Sequence, residues 1–307
     1  MKKTAFIFPG QGSQYVGMGK DFYENFTCAK EMIDLAEKVS GMDMKALLFE
    51  ENENLNITKY TQIAMLADEL AILRVLEEKG FHSDVNAGLS LGEYAALVAS
   101  GVMTPEDAFA VIVKRGEYMQ EAVPTGGAMT AVIGLDNGTI ERVCSETEGI
   151  VSVANYNCPG QTVITGEEHA VNAAAAALKE AGAKRCMALK VSGPFHSAML
   201  EEAGEKLAKE LEHVTIHDIA TPYITNVTAD YVTDKSQVKE LLKQQISSSV
   251  RWQQSVERMI ADGVEVFIEI GPKKSLTGFL KKIDKSIPAY HVDTMADLDA
   301  LCEAFRQ

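Results

Sequence analysis

Short apolar runs of strand length alternate with helix-period segments along most of the chain, and this alternation constrains the fold more than any other feature. Thr4–Phe8 (TAFIF) reads as a buried strand and leads into a glycine-rich turn, Pro9 to Gly19. Helical spacing follows at Tyr23–Val39 and Thr61–Lys79, the latter with apolar residues at 63, 66, 70, 73 and 76. Val85–Leu89 is a strand pattern with a helix, Gly92–Ser100, directly after it. Thr104-Pro105 opens a further helix with a capping hydroxyl and a proline in the first turn, reaching about Glu121. A strand–helix alternation of this kind predicts an α/β protein with a mostly parallel sheet.

The pattern changes between 125 and 191. Strand signals at Met129–Leu135, Ile150–Tyr156, Thr162–Gly166 and Lys184–Val191 enclose helices at 139–147 and 167–181. The order β-α-β-β-α-β is that of a ferredoxin-like unit, so the chain is expected to hold an insertion at 125–191 within a discontinuous core, 1–124 and 192–307. The core then resumes with helices at 197–212, 235–247, 252–262 and 274–282 and strands at Tyr223–Val227 and Val264–Ile270.

Charge and cysteine usage remove several functional classes. The net charge is −15, from 29 basic and 44 acidic residues, which disfavours nucleic acid and anionic membranes as partners. Five cysteines without paired spacing argue against a disulfide scaffold or a zinc site. The apolar run near the N-terminus stops at Pro9, too early for a signal-peptide core, and no run reaches membrane-spanning length. A cytoplasmic protein without a bound metal is expected.

The strongest chemical signal is Gly88-Leu89-Ser90-Leu91-Gly92, a G-x-S-x-G between a strand and a helix. A serine on that turn exposes its hydroxyl, and the next amide, Leu91, points toward a reacting carbonyl oxygen. The competing reading is an ordinary helix-capping serine between turn glycines. A nucleophilic serine needs a base. Of six histidines, His82, His169 and His291 lie in unremarkable surroundings. His213 and His217 fall on a segment, HVTIHD, that alternates like a strand edge. His196 sits in the rigid turn Ser192-Gly193-Pro194-Phe195-His196-Ser197 and is the candidate base. The turn Pro9-Gly10-Gln11-Gly12 fits neither a dinucleotide fingerprint nor a P-loop; it could supply the Gln11 amide as a second oxyanion donor or be a simple tight turn. Arg115 is either a solvated helix residue or a partner for a carboxylate.

Taken together, FPGQGSQ (8–14), TQIA (61–64), GLSLGEYAALVASG (88–101), KRGEYMQ (114–120), NYNCPGQTVITG (155–166), GPFHS (193–197), VRW (250–252) and EIGP (269–272) resemble the malonyl-CoA:acyl carrier protein transacylases, an acyltransferase family of fatty acid synthesis. The resemblance spans nearly the whole chain. It implies an α/β-hydrolase-like core carrying the ferredoxin-like insertion. Ser90 would then be the acyl-accepting nucleophile and His196 its base, with the amides of Gln11 and Leu91 as the oxyanion hole. Arg115 would hold the malonyl carboxylate; Gln62, Met119 and Asn157 would line the site. Phe195, before the base, implies malonyl rather than methylmalonyl, since in the wider acyltransferase family Phe there accompanies the former. His196 would be oriented by a backbone carbonyl near Ser249–Arg251, giving a Ser–His dyad.

Two positions depart from the family pattern. Leu89 stands where a histidine is usual, which implies altered packing or affinity, and Ser249 stands where proline is common. The implied partners are malonyl-CoA and acyl carrier protein, with no cofactor beyond these substrates. The acidic carrier would dock on Lys274, Lys281 and Lys282, spaced along one helical face, or on Lys184 and Arg185. Competing functions are the same transfer to a polyketide synthase carrier, a serine thioesterase or hydrolase, and a non-catalytic scaffold.

Overall fold

A computed structural model describes residues 2–191 and 193–306. The elements run β1 (Thr4–Phe8), α1 (Lys20–Asn25), α2 (Thr27–Ser40), α3 (Met44–Phe49), α4 (Thr58–Glu78), β2 (Val85–Gly88), α5 (Gly92–Ala99) and α6 (Pro105–Ala122). Next come β3 (Gly127–Ile133), α7 (Asn137–Glu146), β4 (Val151–Cys158), β5 (Gln161–Glu167), α8 (Glu168–Glu180) and β6 (Arg185–Ala188). The last part holds α9 (Glu201–Glu212), β7 (Tyr223–Ile224), α10 (Val238–Gln245), α11 (Trp252–Ala261), β8 (Val266–Ile270), α12 (Ser275–Ile283), β9 (Ala289–Val292) and α13 (Met295–Ala304).

Two sheets result. The larger is parallel throughout, in the order β7-β2-β1-β8-β9. Its central strand, TAFIF, is buried at every position, as expected of an apolar run covered by helices on both faces. The smaller sheet is antiparallel, in the order β4-β5-β3-β6, and α7 and α8 pack on it around Ile140, Val143, Val171 and Leu178. The two units meet where Val250 pairs with β4: its N–H donates to the Ala154 carbonyl (2.7 Å) and its carbonyl accepts from Tyr156 N–H (2.9 Å). Pro194 also packs so closely on Gly127 that a side chain there would overlap its ring.

The fold departs from the sequence expectations in particular places. The expected helix at Tyr23–Val39 is two helices, α1 and α2, broken at Phe26, whose backbone is extended. Apolar periodicity continues across the break, so the pattern alone does not register it. The HVTIHD segment forms no strand; alternation without a neighbouring strand to pair with leaves it irregular. α3 and α13 were not anticipated. Both are short and start on local caps: Asp43 accepts from Ala46 N–H, and Thr294 with Asp297 forms a reciprocal capping box. Ser192, where the second core segment was expected to begin, lies outside the described residues.

Candidate active site

The turn between β2 and α5 is shaped by what glycine permits. A side-chain carbon on Gly88 would fall 1.9 Å from the Gly92 carbonyl, and one on Gly92 would fall 2.3 Å from the Phe8 oxygen. Only hydrogen fits at either place. The chain therefore turns sharply and leaves Ser90 at φ 55°, a left-handed conformation that costs a non-glycine residue on the order of 1–3 kcal/mol. Asn226, just past β7, holds that conformation. Its Oδ1 accepts the Ser90 backbone N–H (2.7 Å) and its Nδ2 donates to the Gly88 carbonyl (2.6 Å).

Ser90 and His196 are brought together across the cleft, with Oγ 2.9 Å from Nε2. His196 is also at positive φ, 60°. Its Nδ1 faces the Gln245 carbonyl at 2.9 Å, and a carbonyl can only accept, so Nδ1 carries the proton. Nε2 is then the acceptor, and Ser90 Oγ–H donates to it. The carbonyl that Nδ1 faces is that of Gln245, a few residues before the Ser249–Arg251 stretch expected from sequence, and the Ser248 backbone next to that stretch also acts on the ring. The physical reason is the end of α10: its last carbonyls lack helical partners, and its negative dipole end favours an imidazolium beside it. The segment containing Ser249 instead docks on β4, where the Ser249 hydroxyl donates to the Val153 carbonyl. Burial, reinforced by the neighbouring Arg115, lowers the His196 pKa to about 4. The imidazole is neutral near pH 7 and free to take a proton.

Arg115 is fully buried rather than solvated. Its Nη1 donates to Gln62 Oε1 (2.7 Å), and its Nη2 donates to Ser90 Oγ (3.0 Å) and Gln245 Oε1 (3.0 Å). Its Cζ lies 5.5 Å from the Tyr94 ring centre, within cation–π range. Gln62 in turn donates to Met119 Sδ (3.5 Å).

A cleft of about 280 Å³ opens on these groups and is also lined by Gln11, Leu91, Asn157, Phe195 and Leu89. The nine residues given a catalytic, oxyanion or substrate role in the sequence analysis all line this one cleft. The backbone amides of Gln11 and Leu91 have no hydrogen-bond partner among the described residues, and both residues line the cleft. Leu89 lies against the Gly10 turn and lines the cleft wall.

Sequence reasoning missed the layer beneath. Glu93, Asn226 and Gln245 are buried, and one Glu93 oxygen, Oε2, accepts from Asn226 N–H (3.0 Å) and Gln245 Nε2 (2.6 Å). Gln245 Nε2 also donates to the Ser90 carbonyl (3.0 Å). The available signal was an acidic residue directly after the second glycine of G-x-S-x-G, at the start of an otherwise apolar helix.

The candidate docking lysines are exposed, and none of them lines the cleft. Leu189 and Val191, just past β6, form one wall, and Ser275, Leu276 and Phe279 of α12 form the other. Lys184 and Arg185 lie at the other end of β6, with Lys184 against Gly134, and Lys281 and Lys282 are in the last turn of α12, with Lys282 Nζ donating to Gln161 Oε1 (3.0 Å). Lys274 precedes α12 instead of sharing its face, because the helix begins at Ser275. Among the described residues, no group of three or more His, Cys, Asp or Glu is arranged to hold a metal ion, and no helix is long and apolar enough to cross a membrane.

Comparison with known proteins places the chain in one family. The acyl transferase domain family matches residues 5–298. The malonyl CoA-acyl carrier protein transacylase of Bacillus subtilis is 43% identical, over 100% of this chain and 98% of its own. The crystal structure of MCAT from Streptococcus pneumoniae superposes with a TM-score of 0.96 at 48% identity, covering 99% of this chain and 100% of that one. A malonyl-transacylase solved with a type II PKS acyl-carrier protein matches with a TM-score of 0.95 at 42% identity, over 98% and 99% of the two chains.

Proposed function

The chain belongs to the malonyl CoA-acyl carrier protein transacylase family of acyl transferases, and from that membership we propose how its own residues carry out the reaction. It transfers the malonyl group of malonyl-CoA to acyl carrier protein, the step that supplies the extender unit for fatty acid synthesis. The transfer is ping-pong. His196 Nε2 takes the Ser90 proton as Oγ attacks the thioester carbonyl. The tetrahedral oxyanion is stabilised by the amides of Gln11 and Leu91, each contributing about 3 kcal/mol. CoA leaves as the thiol, with its proton returned from His196. The phosphopantetheine thiol of the carrier then attacks the malonyl-serine ester in the reverse sequence, and Ser90 recovers its proton. No step calls on a metal or on a cofactor beyond the two substrates.

The observation that carries this reading is Arg115. It is a fully buried guanidinium whose Nη2 lies 3.0 Å from the nucleophile Oγ, where it meets the far carboxylate of a malonyl group attached to Ser90. Acetyl-CoA lacks that carboxylate and leaves the cation without its partner. Gln62 and Met119 steady the guanidinium, and Asn157 and Phe195 bound the acyl pocket. The Gln245 carbonyl replaces the carboxylate of a Ser–His–Asp triad, which favours the dyad over a serine hydrolase of that type.

We read the large unit, 1–124 and 192–307, as an α/β-hydrolase-like core and 125–191 as a ferredoxin-like insertion that closes the cleft. The order β4-β5-β3-β6 supports the second assignment. The carrier docks on Lys274, Lys281 and Lys282 or on Lys184 and Arg185. Reversing the charge of Lys281 and Lys282 is expected to raise the carrier KM and leave that of malonyl-CoA unchanged; an unchanged carrier KM removes that patch.

The test of the whole reading is intact-protein mass spectrometry after brief mixing with malonyl-CoA. One malonyl adduct, weak with acetyl-CoA, absent in Ser90→Ala and discharged by carrier protein, is the expected result. CoA released steadily into water with no adduct points to a hydrolase, and neither adduct nor release points to a scaffold. The relative bound to a type II PKS carrier makes a polyketide carrier the second acceptor to assay beside the fatty acid one.

A further inference from the structure

A buried guanidinium beside a nucleophile raises a charge problem. Without substrate, Arg115 has no carboxylate in contact with it; its oxygen partners are Gln62, Gln245 and Ser90. An isolated cation in that position carries a desolvation cost of several kcal/mol, and burial acts to lower its pKa. A direct salt bridge would remove the cost, but it would also occupy the donors that a substrate carboxylate needs.

The buried network offers an intermediate solution. Arg115 Nη2 donates to Gln245 Oε1 (3.0 Å), and the other end of the same amide, Nε2, donates to Glu93 Oε2 (2.6 Å). The amide is aligned with its oxygen toward the cation and its nitrogen toward the anion, so its dipole links the two charges. Asn226 N–H is the second donor on the same Glu93 oxygen (3.0 Å). An ionised carboxylate is acceptor-only, so with two N–H groups on it the orientation of the Gln245 amide is fixed. Arg115 Nε has no partner among the described residues, so the guanidinium retains donor capacity.

We infer that Glu93 is the counter-ion of Arg115, held one amide away through Gln245, and that this separation sets how strongly the site prefers an acyl group ending in a carboxylate. A counter-ion in contact would compete with malonyl. One absent altogether would make the site an anion trap that retains the malonyl-enzyme. Glu93 touches neither substrate nor reacting atoms, so it is a positioning residue. The inference rests on the reading of Arg115 as the carboxylate partner.

The experiment measures KM and kcat for malonyl-CoA and acetyl-CoA, together with inhibition by free malonate, in variants of the full chain. Glu93→Gln removes the charge with little change of shape. Malonate inhibition and the malonyl-CoA KM are expected to tighten on the order of 10-fold, as for one charge lost several ångströms away at intermediate dielectric, with the acetyl-CoA KM unchanged. Gln245→Glu brings a carboxylate onto the guanidinium and is expected to act in the opposite direction, weakening malonate on the order of 10-fold. A purely structural role would shift both substrates together, and parallel shifts in both variants overturn the inference. If thermal melting shows that Glu93→Gln does not fold, Gln245→Glu decides alone: unchanged malonate inhibition there overturns it. Arg115→Ala separates the two levels. Lost malonyl preference in Arg115→Ala with no shift in the other variants sinks only the counter-ion role. Retained preference sinks the assignment of Arg115 as well.

Discussion

Two buried acidic sites lie on different elements around the same sheet, and they have opposite surroundings. Glu93, at the start of α5, is fully buried and accepts from a backbone amide and a glutamine. Asp68 and Glu69, side by side on α4, are equally buried, yet none of their four carboxyl oxygens has a hydrogen-bond partner among the described residues. The charges acting on Asp68 are those of Asp293 and Asp21, and those acting on Glu69 belong to Asp68 and Glu269. Burial and these like charges push both carboxyls well above their usual range. For Glu93, burial also pushes the pKa up, but Asn226 N–H, Thr225, Gln245 and Arg115 pull it back. Residue type and burial therefore do not separate an acid that serves the reaction from one that only costs stability. Its partners do.

Four measurements can break or sharpen this contrast. The largest effect is expected at the group the Glu93 network serves: Ser90→Ala should lower kcat by about 10⁴-fold or more and abolish the acyl-enzyme. Residual turnover through an adduct elsewhere on the chain would break the assignment. Next, Asn226→Ala removes both bonds that hold Ser90 in its left-handed conformation. It should cost about 3 kcal/mol of stability and lower kcat by about 10²-fold, read by denaturant unfolding and steady-state rates. Unchanged stability would mean that glycine sterics alone hold the turn.

Asp68→Asn should act in the opposite sense, stabilising the protein by on the order of 2 kcal/mol at pH 8 with kcat unchanged. The sign follows from the raised pKa. The folded chain keeps this proton where the unfolded chain releases it, so stability falls as pH rises above about 4, and the gain from Asn should shrink toward pH 5. A gain independent of pH would show that Asp68 is not held neutral. The smallest effect is in the pH profile. With the His196 pKa lowered to about 4, the acid limb of kcat/KM should lie well below the ordinary 6.5, and Arg115→Ala should move it upward by removing a neighbouring cation. An acid limb at the ordinary value would mean that His196 is more hydrated than the buried network implies.

The same contrast explains which features were legible in sequence. Gly88, Ser90 and Gly92 were readable because the turn depends on contacts within a few residues, where glycine leaves almost no alternative. The β-α-β-β-α-β order was readable because each element has its own period. Ser90, His196 and Arg115 were found as separate signals, and the resemblance joined them. The carbonyl facing His196 Nδ1 lies a few residues before the stretch expected, because nothing in the chain marks which one at the end of α10 meets the ring. The break at Phe26 and the helices α3 and α13 were lost because apolar period does not report a short cap or an extended residue.

Local sequence was enough for the alternating α/β plan, the turn that presents Ser90 and the set of residue types able to carry acyl transfer. Tertiary structure alone decided that Arg115 is a buried cation rather than a solvated one, that Glu93 is bridged to it by an amide, and that Asp68 and Glu69 are left without partners. The reason is the range of the interactions. Steric limits and helix or strand periods act between near neighbours, whereas satisfying a buried polar group draws on partners far along the chain. Glu93 meets its two donors across 133 and 152 residues.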